Sequence, residues 1–475
     1  MKSKFAVGGI VLFAAAIRAY QITDSGLWLD EYTSIEVASR SLQDILAGVG
    51  FDRHTPPFYY ILLNGFFLLY PPSEISLRMF SLLFDIANVL LIYLIASRQF
   101  STRIGLWAAA FYSVAGFSVY YAQEGRMYTL LVSLVLLAYS FALRFRDNSA
   151  RGFDIAGTAV VCAAGLYTHY YFAFSLIGLS LGLLLSPSVR GKSIVGWLAA
   201  LAISGICFFP WVRIVLSLAE SGGQQFRRFT FSVLPYTLFR FVAGYAVMPL
   251  NAGSKDNFLG TASEHFLPLG FYLLSGAVLI LCGLYLLRTR FPKQQTLFLS
   301  TLFIAPCIAL AISLFVPMLS ERYLIVVFPF FIILCVLAKD FFANRTQPAV
   351  GVLVLLLFGS GSFFQIYSAD FGKEEWREVA DLIGHHATPT QIVFVNPEYT
   401  RGILAYYLPE PFIVEKIGTD PAMTAARHRN CWLVERGGSE SALPTFEHAG
   451  YHIVFHKQFF HESGIQIYLL NYLNG

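Results

Sequence analysis

Long apolar stretches joined by short polar loops fill most of the first 367 residues. A helix needs about 20 largely apolar residues to cross a bilayer. The stretch 57–71 is shorter and is bounded by prolines, which predicts a helix lying on the membrane surface. The remaining stretches predict eleven transmembrane helices, at roughly 5–22, 79–97, 104–121, 127–143, 154–168, 172–187, 194–213, 266–287, 295–316, 323–338 and 347–367.

Composition supports this interpretation. Hydrophobic residues make up 56% of the chain and charged residues only 13%, against about 25% charged in an average soluble protein. The sequence therefore predicts a polytopic α-helical membrane protein. There is no long basic run of the kind that binds nucleic acid, so no nucleic-acid partner is expected.

The distribution of Lys and Arg predicts which loops face outward. With eleven spans, every short loop on one face is basic, as the positive-inside rule requires. Counting 57–71 as a span would invert this order halfway along the chain. The predicted outward segments are 23–78, 119–128, 214–265, 317–322 and everything after 367.

The last hundred residues differ in pattern from the rest. In EEWREVADLIGHH, Trp376, Val379, Leu382 and Ile383 lie on one helical stripe. Short apolar runs follow, separated by polar segments: QIVFV, CWLVE, YHIVF and IQIYLL. This alternation predicts a small α/β domain over 368–475, following a membrane domain over 1–367. No glycine-rich nucleotide-binding loop occurs in the chain, which argues against nucleotide-dependent chemistry.

The first outward segment opens with an acid pair, Asp30–Glu31. Acids beside the bilayer are costly, and so they indicate function. A carboxylate there can act as a general base or bind a metal. The alternative is structural, with Asp30 capping a helix that starts at Glu31.

Other outward segments carry further polar residues. Imidazoles occur at His54, His169 and His265, and VYYAQEGRMYTL brings together Glu124, Arg126 and Tyr128. A histidine is a common metal ligand and proton shuttle. The 119–128 segment is interpreted as the lining of a polar cavity, although Glu124 and Arg126 could simply neutralise each other. Expected substrate-binding residues are Tyr59, Tyr121, Tyr128 and His169.

Four further arginines lie on the predicted outer face, against the inside bias. Arginine binds phosphate through a planar fork, so a lipid phosphate is the expected partner; ion pairing to Glu74, Glu321 or Asp30 is the alternative. Together with Arg126, the predicted phosphate-binding residues are Arg78, Arg227, Arg228 and Arg322.

Five segments, in this order, resemble the membrane glycosyltransferases of the GT-C fold. They are LWLDEYTSIE, HTPPFYYILLNGFFLL, SEISLRMFSLLF, YYAQEGRMYTLL and SERYLIVVFPFF. The similarity is greatest to the branch that includes protein O-mannosyltransferases and the bacterial lipid A aminoarabinose transferases. The tail, residues 368–475, is similar to the outer-face soluble domain of many bacterial members.

The resemblance implies an inverting enzyme with Asp30 as its catalytic carboxylate. Its donor is a polyprenyl-phosphate sugar, and its acceptor is a lipid, glycan or protein hydroxyl. The expected location is the bacterial inner membrane, with the catalytic face and tail in the periplasm. His54 and His265 occupy positions similar to metal ligands of the aminoarabinose transferases, which leaves room for a divalent metal. Those enzymes carry an aspartate in the second outer loop, whereas Glu124 is the nearest acid here and its offset differs.

Three other functions remain as alternatives. A transporter or lipid flippase would place ionisable groups near the bilayer midplane, but apart from Arg18 and Asp85 the predicted spans are almost free of charge. A receptor or scaffold would leave Asp30, Glu124 and the outward arginines without a role. An O-antigen-ligase-type transferase using a diphosphate-linked donor shares the same surface features.

Overall fold

The computed structural model describes twelve stretches of the chain. They are residues 2–47, 55–220, 233–245, 266–288, 295–315, 319–339, 342–367, 373–388, 391–408, 410–417, 429–459 and 464–472. Two compact units are present, a helical unit and a unit that contains a β-sheet.

Each of the eleven predicted transmembrane segments is helical in the structure. The helices of this part of the chain are α1 Lys2–Ala19, α2 Leu29–Ala38, α3 Leu42–Leu46, α4 Phe58–Phe67, α5 Glu74–Gln99, α6 Thr102–Val114, α7 Gly116–Ala122, α8 Tyr128–Arg146, α9 Gly152–Leu166, α10 Tyr171–Leu184, α11 Gly191–Glu220, α12 Val233–Ala243, α13 Phe266–Arg288, α14 Thr296–Ser313, α15 Phe328–Ala338 and α16 Gln347–Tyr367. A 3₁₀ turn, Tyr323–Val327, leads into α15.

Length and composition separate the strongest transmembrane candidates from the shorter helices. Among the described residues, α5, α8, α14 and the Gly191–Ile214 part of α11 are long and apolar enough to cross a membrane. The pair α6 and α7 would make a fifth span, bent by 63°, so the segment predicted as one helix over 104–121 consists of two. Helix α4 has ten residues, about 15 Å, or half of the roughly 30 Å hydrocarbon core. The number of spans stays a prediction.

Local sequence explains where several helices begin. The Ser73 hydroxyl accepts a hydrogen bond from the Ser76 amide, and the Ser76 side chain accepts one from Ser73, which makes a capping box at the start of α5. Ser101 caps α6 by accepting from the Ile104 amide at 3.2 Å. Because Ser101 caps α6 shortly after α5 ends at Gln99, the link between the two helices is short.

The second unit contains the described part of Ser368–Gly475 and also Thr23–Ser34 from near the start of the chain. Its five strands lie in the order β2-β1-β3-β5-β4, with β1 parallel to β2 and β3 and the remaining pairs antiparallel. The elements are β1 Ile392–Asn396, β2 Ile413–Lys416, β3 Asn430–Arg436, β4 Tyr451–Phe459 and β5 Ile465–Tyr472, with helices α17 Trp376–His386, α18 Arg401–Tyr407 and α19 Leu443–His448.

The four predicted strands and the first helix of the tail are confirmed. Trp376, Val379 and Ile383 are buried along α17, as the stripe indicates. The edge strand β2 has no counterpart among the predicted strands. The predicted boundary at 368 groups 23–34 with the membrane domain, whereas in the structure that segment packs with the tail.

Candidate functional site

The acid pair lies in the first turn of α2, which begins at Leu29. Asp30 is therefore inside the helix, and its interpretation as an N-cap of a helix starting at Glu31 is wrong. Carboxylates in a first turn interact favourably with the helix dipole. The two acids differ in their surroundings: Asp30 is partly exposed, whereas Glu31 is buried and accepts a hydrogen bond from Lys373 Nζ at 2.8 Å. Of the two, Asp30 has the accessibility that a reacting group needs.

A second cluster lies in the helical unit, at the turn between α7 and α8. The Arg126 amide donates to the Glu124 carbonyl at 2.8 Å, which closes a tight turn. Both side chains are buried. Arg126 Nη1 donates to the Tyr60 hydroxyl at 3.3 Å, and the Ser81 hydroxyl donates to the Arg126 carbonyl at 3.2 Å. This turn, together with α4 and α5, holds an acid and a guanidinium inside the unit.

Gly125 is required at this turn by its close approach to α5. A Cβ added there would lie 2.3 Å from Leu77 Cγ, a separation that needs movement of the turn or of the leucine. The glycine lets the backbone between Glu124 and Arg126 lie directly against α5.

Three segments of the helical unit meet around His169. Its ring lies 6.5 Å from the Tyr128 ring and 4.8 Å from the Tyr323 ring, centroid to centroid. His169 Nδ1 accepts a hydrogen bond from the Tyr171 amide at 3.1 Å, so in the neutral ring the proton is on Nε2. The Tyr121 hydroxyl lies 2.6 Å from the Tyr245 hydroxyl. These contacts join the 119–128 turn, the α9–α10 connection and the segment before α15.

The predicted phosphate-binding arginines differ in their settings. Arg322 is partly exposed and precedes the 3₁₀ turn, within electrostatic range of Tyr121 and Tyr128. Arg78 is buried, and its Nη1 donates to the Ile22 carbonyl at 2.8 Å, so at least part of its role is to hold the end of the first helical segment. Arg227 and Arg228 lie outside the described residues.

The remaining predicted residues are one buried tyrosine and the two expected metal ligands. Tyr59 is buried on α4, with its ring 5.4 Å from that of Tyr60. His54 and His265 both lie outside the described residues. Within the described stretches, no group of three or more His, Cys, Asp or Glu side chains is arranged to hold a metal ion.

Sequence reasoning missed several buried charged residues near these clusters. Glu321 is buried and acts electrostatically on Tyr121 and Tyr245. The Arg240 guanidinium carbon lies 4.7 Å from the ring centroids of both Tyr236 and Tyr245. From the sequence, Glu321 is expected only as a possible ion-pair partner of an outward arginine, although its position directly beside Arg322 is a usable signal.

The second unit also contains buried charged residues that the sequence analysis did not predict. Lys373 and Glu374 are buried there, and Glu374 Oε1 accepts two hydrogen bonds from Arg436, at 2.8 and 2.6 Å. No local pattern connects these residues to Asp30, because they lie more than 340 positions away in the chain.

Comparison with known proteins supports one class of enzyme. Residues 54–214 match the family model described as dolichyl-phosphate-mannose-protein mannosyltransferase. This range includes the Glu124–Arg126 turn and His169. A search of curated protein sequences gives no significant match.

Solved structures match the fold over nearly the whole chain. ArnT from Cupriavidus metallidurans, in the apo state, aligns with a TM-score of 0.62 at 13% identity, covering 98% of each chain. The same enzyme bound to undecaprenyl phosphate gives 0.59 at 13% identity, covering 97% of this chain and 98% of that one. The Archaeoglobus fulgidus oligosaccharyltransferase in complex with Zn and sulfate gives 0.55 at 10% identity, covering 91% of this chain and 68% of that one.

The structural matches give the fold: over nearly its whole length the chain has the GT-C membrane fold of ArnT. The family model matches residues 54–214 of the 475 and indicates a glycosyltransferase.

Proposed function

We propose that this enzyme transfers a sugar from a polyprenyl-phosphate donor to an acceptor hydroxyl on the periplasmic face of the bacterial inner membrane, with inversion at the anomeric carbon. The acceptor is a lipid, glycan or protein. The observation that carries the proposal is the convergence of the 119–128 turn, His169 and the Tyr323 segment within the helical unit. Buried ionisable groups in a membrane protein are costly and mark functional sites.

In this proposal Asp30 is the general base. The acceptor hydroxyl loses its proton as its oxygen bonds to the anomeric carbon, and the bond from that carbon to the phosphate oxygen breaks. Asp30 takes the proton, and the polyprenyl phosphate leaves with the bonding electrons. A well-placed base contributes roughly a hundred- to ten-thousand-fold. The partial exposure of Asp30, beside a Glu31 already bonded to Lys373, supports this assignment.

The departing phosphate needs fixed positive charge. We assign this stabilisation to Arg322 and Arg126, with Arg227, Arg228 and Arg78 as further members of the set. Preorganised charge of this kind is usually the largest single contribution to catalysis. ArnT crystallised with undecaprenyl phosphate shares this fold, which supports a lipid-phosphate donor. His54 and His265 would hold a divalent metal if one is used. Tyr59, Tyr121, Tyr128 and His169 are assigned to substrate binding, and Glu124 is the second candidate carboxylate.

The test is a transfer assay on membranes containing the protein, with labelled undecaprenyl-phosphate sugars as donors and mass analysis of what gains a hexose or pentose. Asp30→Asn should abolish transfer while the protein stays in the membrane. Arg322→Gln should raise the KM for donor and lower kcat, because the guanidinium is assigned to both bound and departing phosphate. Transfer from a nucleotide sugar without a lipid intermediate, or from a diphosphate-linked donor alone, would contradict the proposal. Near-normal activity of Asp30→Asn would remove Asp30 from the mechanism.

A further inference from the structure

Asp30 lies in the segment 23–32, which includes the first turn of α2 and which we call the catalytic loop. This loop is held by charged side chains from the other end of the chain. Lys373 Nζ donates to Glu31 Oε1 at 2.8 Å, and both side chains are buried. Glu374 accepts two bonds from Arg436 through Oε1, and its Oε2 accepts from Trp376 Nε1 at 2.8 Å. The Leu29 amide also donates to Glu374 Oε2, at 3.4 Å. Asp30 therefore has a residue bonded to the tail on each side of it.

The tail also bonds to the loop backbone before Asp30. The Arg377 guanidinium donates to the Thr23 carbonyl, at 3.2 Å from both Nη1 and Nη2, and to the Asp24 and Ser25 carbonyls. The Leu27 amide donates to the Tyr407 hydroxyl at 2.6 Å. Loop carbonyls and amides that lack a partner in secondary structure are thus bonded to side chains of the tail.

A close contact beyond Asp30 extends the attachment into α2. The Tyr32 ring meets the Tyr406 ring edge to face at 6.2 Å. The Tyr32 hydroxyl lies so near Gly402 that a Cβ added to this glycine would be 2.4 Å from it. A larger residue at 402 would therefore have to displace Tyr32. The tail thus contacts the segment 23–32 before, beside and after Asp30.

Burial of these charges is an expensive way to gain stability. Buried ion pairs roughly break even against well-packed apolar residues, so their presence is weak evidence for stability. What a pair such as Glu31–Lys373 provides is a fixed direction, since a charge-assisted hydrogen bond constrains the atoms on both sides. An apolar contact between the tail and the loop would not constrain the backbone at residues 29–31 in this way.

We infer that the tail is a positioning element for the catalytic loop, and that Lys373 and Glu374 are positioning residues that fix the direction of the Asp30 carboxylate. This inference rests on the proposed role of Asp30 as the general base. Displacement of a reacting group by about 1 Å can lower a rate about a hundredfold. The tail thereby affects the chemical step without touching substrate.

The first experiment measures loop order on the full-length protein in detergent, without any donor. Hydrogen exchange followed by mass spectrometry should show exchange at the Leu27 and Leu29 amides about tenfold faster in Lys373→Met than in the wild type, because a fixed contact of the loop is lost. Lys373→Arg keeps the charge and should exchange like the wild type. Equal protection in Lys373→Met and the wild type would overturn the inference.

The second experiment measures transfer, with the undecaprenyl-phosphate sugar that the membrane assay shows to be used. Lys373→Met should lower kcat about a hundredfold and leave the donor KM within about twofold. Lys373→Arg should restore most of kcat. A variant that is merely misfolded would not be rescued by retained charge. A raised donor KM with unchanged kcat would overturn the positioning role.

A pair of glycine variants tests the same idea without altering charge. Gly402→Ala should displace Tyr32 and lower kcat, whereas Gly384→Ala, on α17 with no atoms within 4 Å of the added Cβ, should match the wild type. Asp30→Asn is measured in the same preparation. If it is inactive while Lys373→Met and Gly402→Ala keep wild-type kcat, the positioning inference fails alone. If Asp30→Asn is active, the assignment of the base fails first.

Discussion

A buried ion pair in the helical unit gives the sharpest prediction about stability. Arg18 on α1 and Asp85 on α5 are both buried, with Arg18 Nε 2.5 Å from Asp85 Oδ2. The same guanidinium donates from Nη1 to the Ser113 carbonyl at 2.8 Å and from Nη2 to the Ser118 hydroxyl at 3.1 Å. The Ser113 carbonyl is in the last turn of α6, where carbonyls lack helical partners. Arg18 therefore stabilises the break between α6 and α7.

The expected cost follows from what each substitution leaves behind. Asp85→Asn leaves the Arg18 charge buried without a counterion, and Arg18→Met leaves the Asp85 carboxylate with Tyr112, whose hydroxyl donates to it at 2.6 Å. Removing one partner of a buried pair costs about 3–5 kcal/mol. The double variant Arg18→Met/Asp85→Leu removes both charges, so it should cost less than the sum of the two single changes, with a coupling of about 1–3 kcal/mol.

The assay is unfolding of the detergent-solubilised protein by SDS titration, followed by tryptophan fluorescence. A matched control is Arg98→Met, because Arg98 pairs with Asp147 at 2.8 Å while both side chains are more than a third exposed. Exposed pairs contribute about 0–1 kcal/mol. The reasoning is refuted if Asp85→Asn lowers the free energy of unfolding no more than the control does. It is also refuted if the loss in the double variant equals the sum of the losses in the two single variants.

Two further predictions concern separate regions. Gly125→Ala should displace the turn against Leu77 and reduce transfer at least tenfold through misplacement of catalytic groups. The control Gly65→Ala on α4, with open space at its Cβ, should transfer like the wild type. Equal activity of both variants in the membrane assay would show that the turn tolerates the methyl group. In the tail, burial raises the pKa of the Cys431 thiol to about 12 from an ordinary value of 9.0. The unfolded thiol ionises first as the pH rises, so stability should be full below about pH 9 and decline from there towards pH 12. Alkylation of Cys431 by iodoacetamide, measured by peptide mapping, should therefore stay slow up to about pH 9 and rise only at higher pH or with denaturant; fast alkylation at pH 8 in the native protein would contradict this.

The elements of the fold were largely predictable from local pattern. Continuous apolar stretches predict buried or membrane helices, and all the predicted segments are helical. The bend between α6 and α7 was not predicted, because hydropathy continues across Ala115 while the backbone there is extended. The four-residue strand β2 was missed since three of its residues are exposed and show no alternation of burial. Local pattern detects length and apolarity but is insensitive to backbone direction.

The candidate site was predicted in part. Tyr128 and His169, both predicted substrate-binding residues, lie with their rings 6.5 Å apart, and their role stays a prediction. Tyr323, which also contacts His169, falls inside a predicted span and was not expected there. The contacts of Glu31 with Lys373 were not predictable, because a charge carries no signal about which opposite charge it meets hundreds of residues away. A local motif can suggest that an acid is functional, whereas its partners depend on tertiary packing.

The two charged clusters use burial for different ends. In the helical unit, Arg18 bonds to carbonyls freed by a helix break, so its charge compensates for a backbone defect. In the second unit, Glu374 accepts hydrogen bonds from the Arg436 and Trp376 side chains and from the Leu29 amide beside Asp30. Since apolar packing would hold a tail against a loop at lower desolvation cost, selection for stability alone does not account for Lys373, Glu374 and Arg436. A requirement for a fixed orientation of residues 29–31 does account for them.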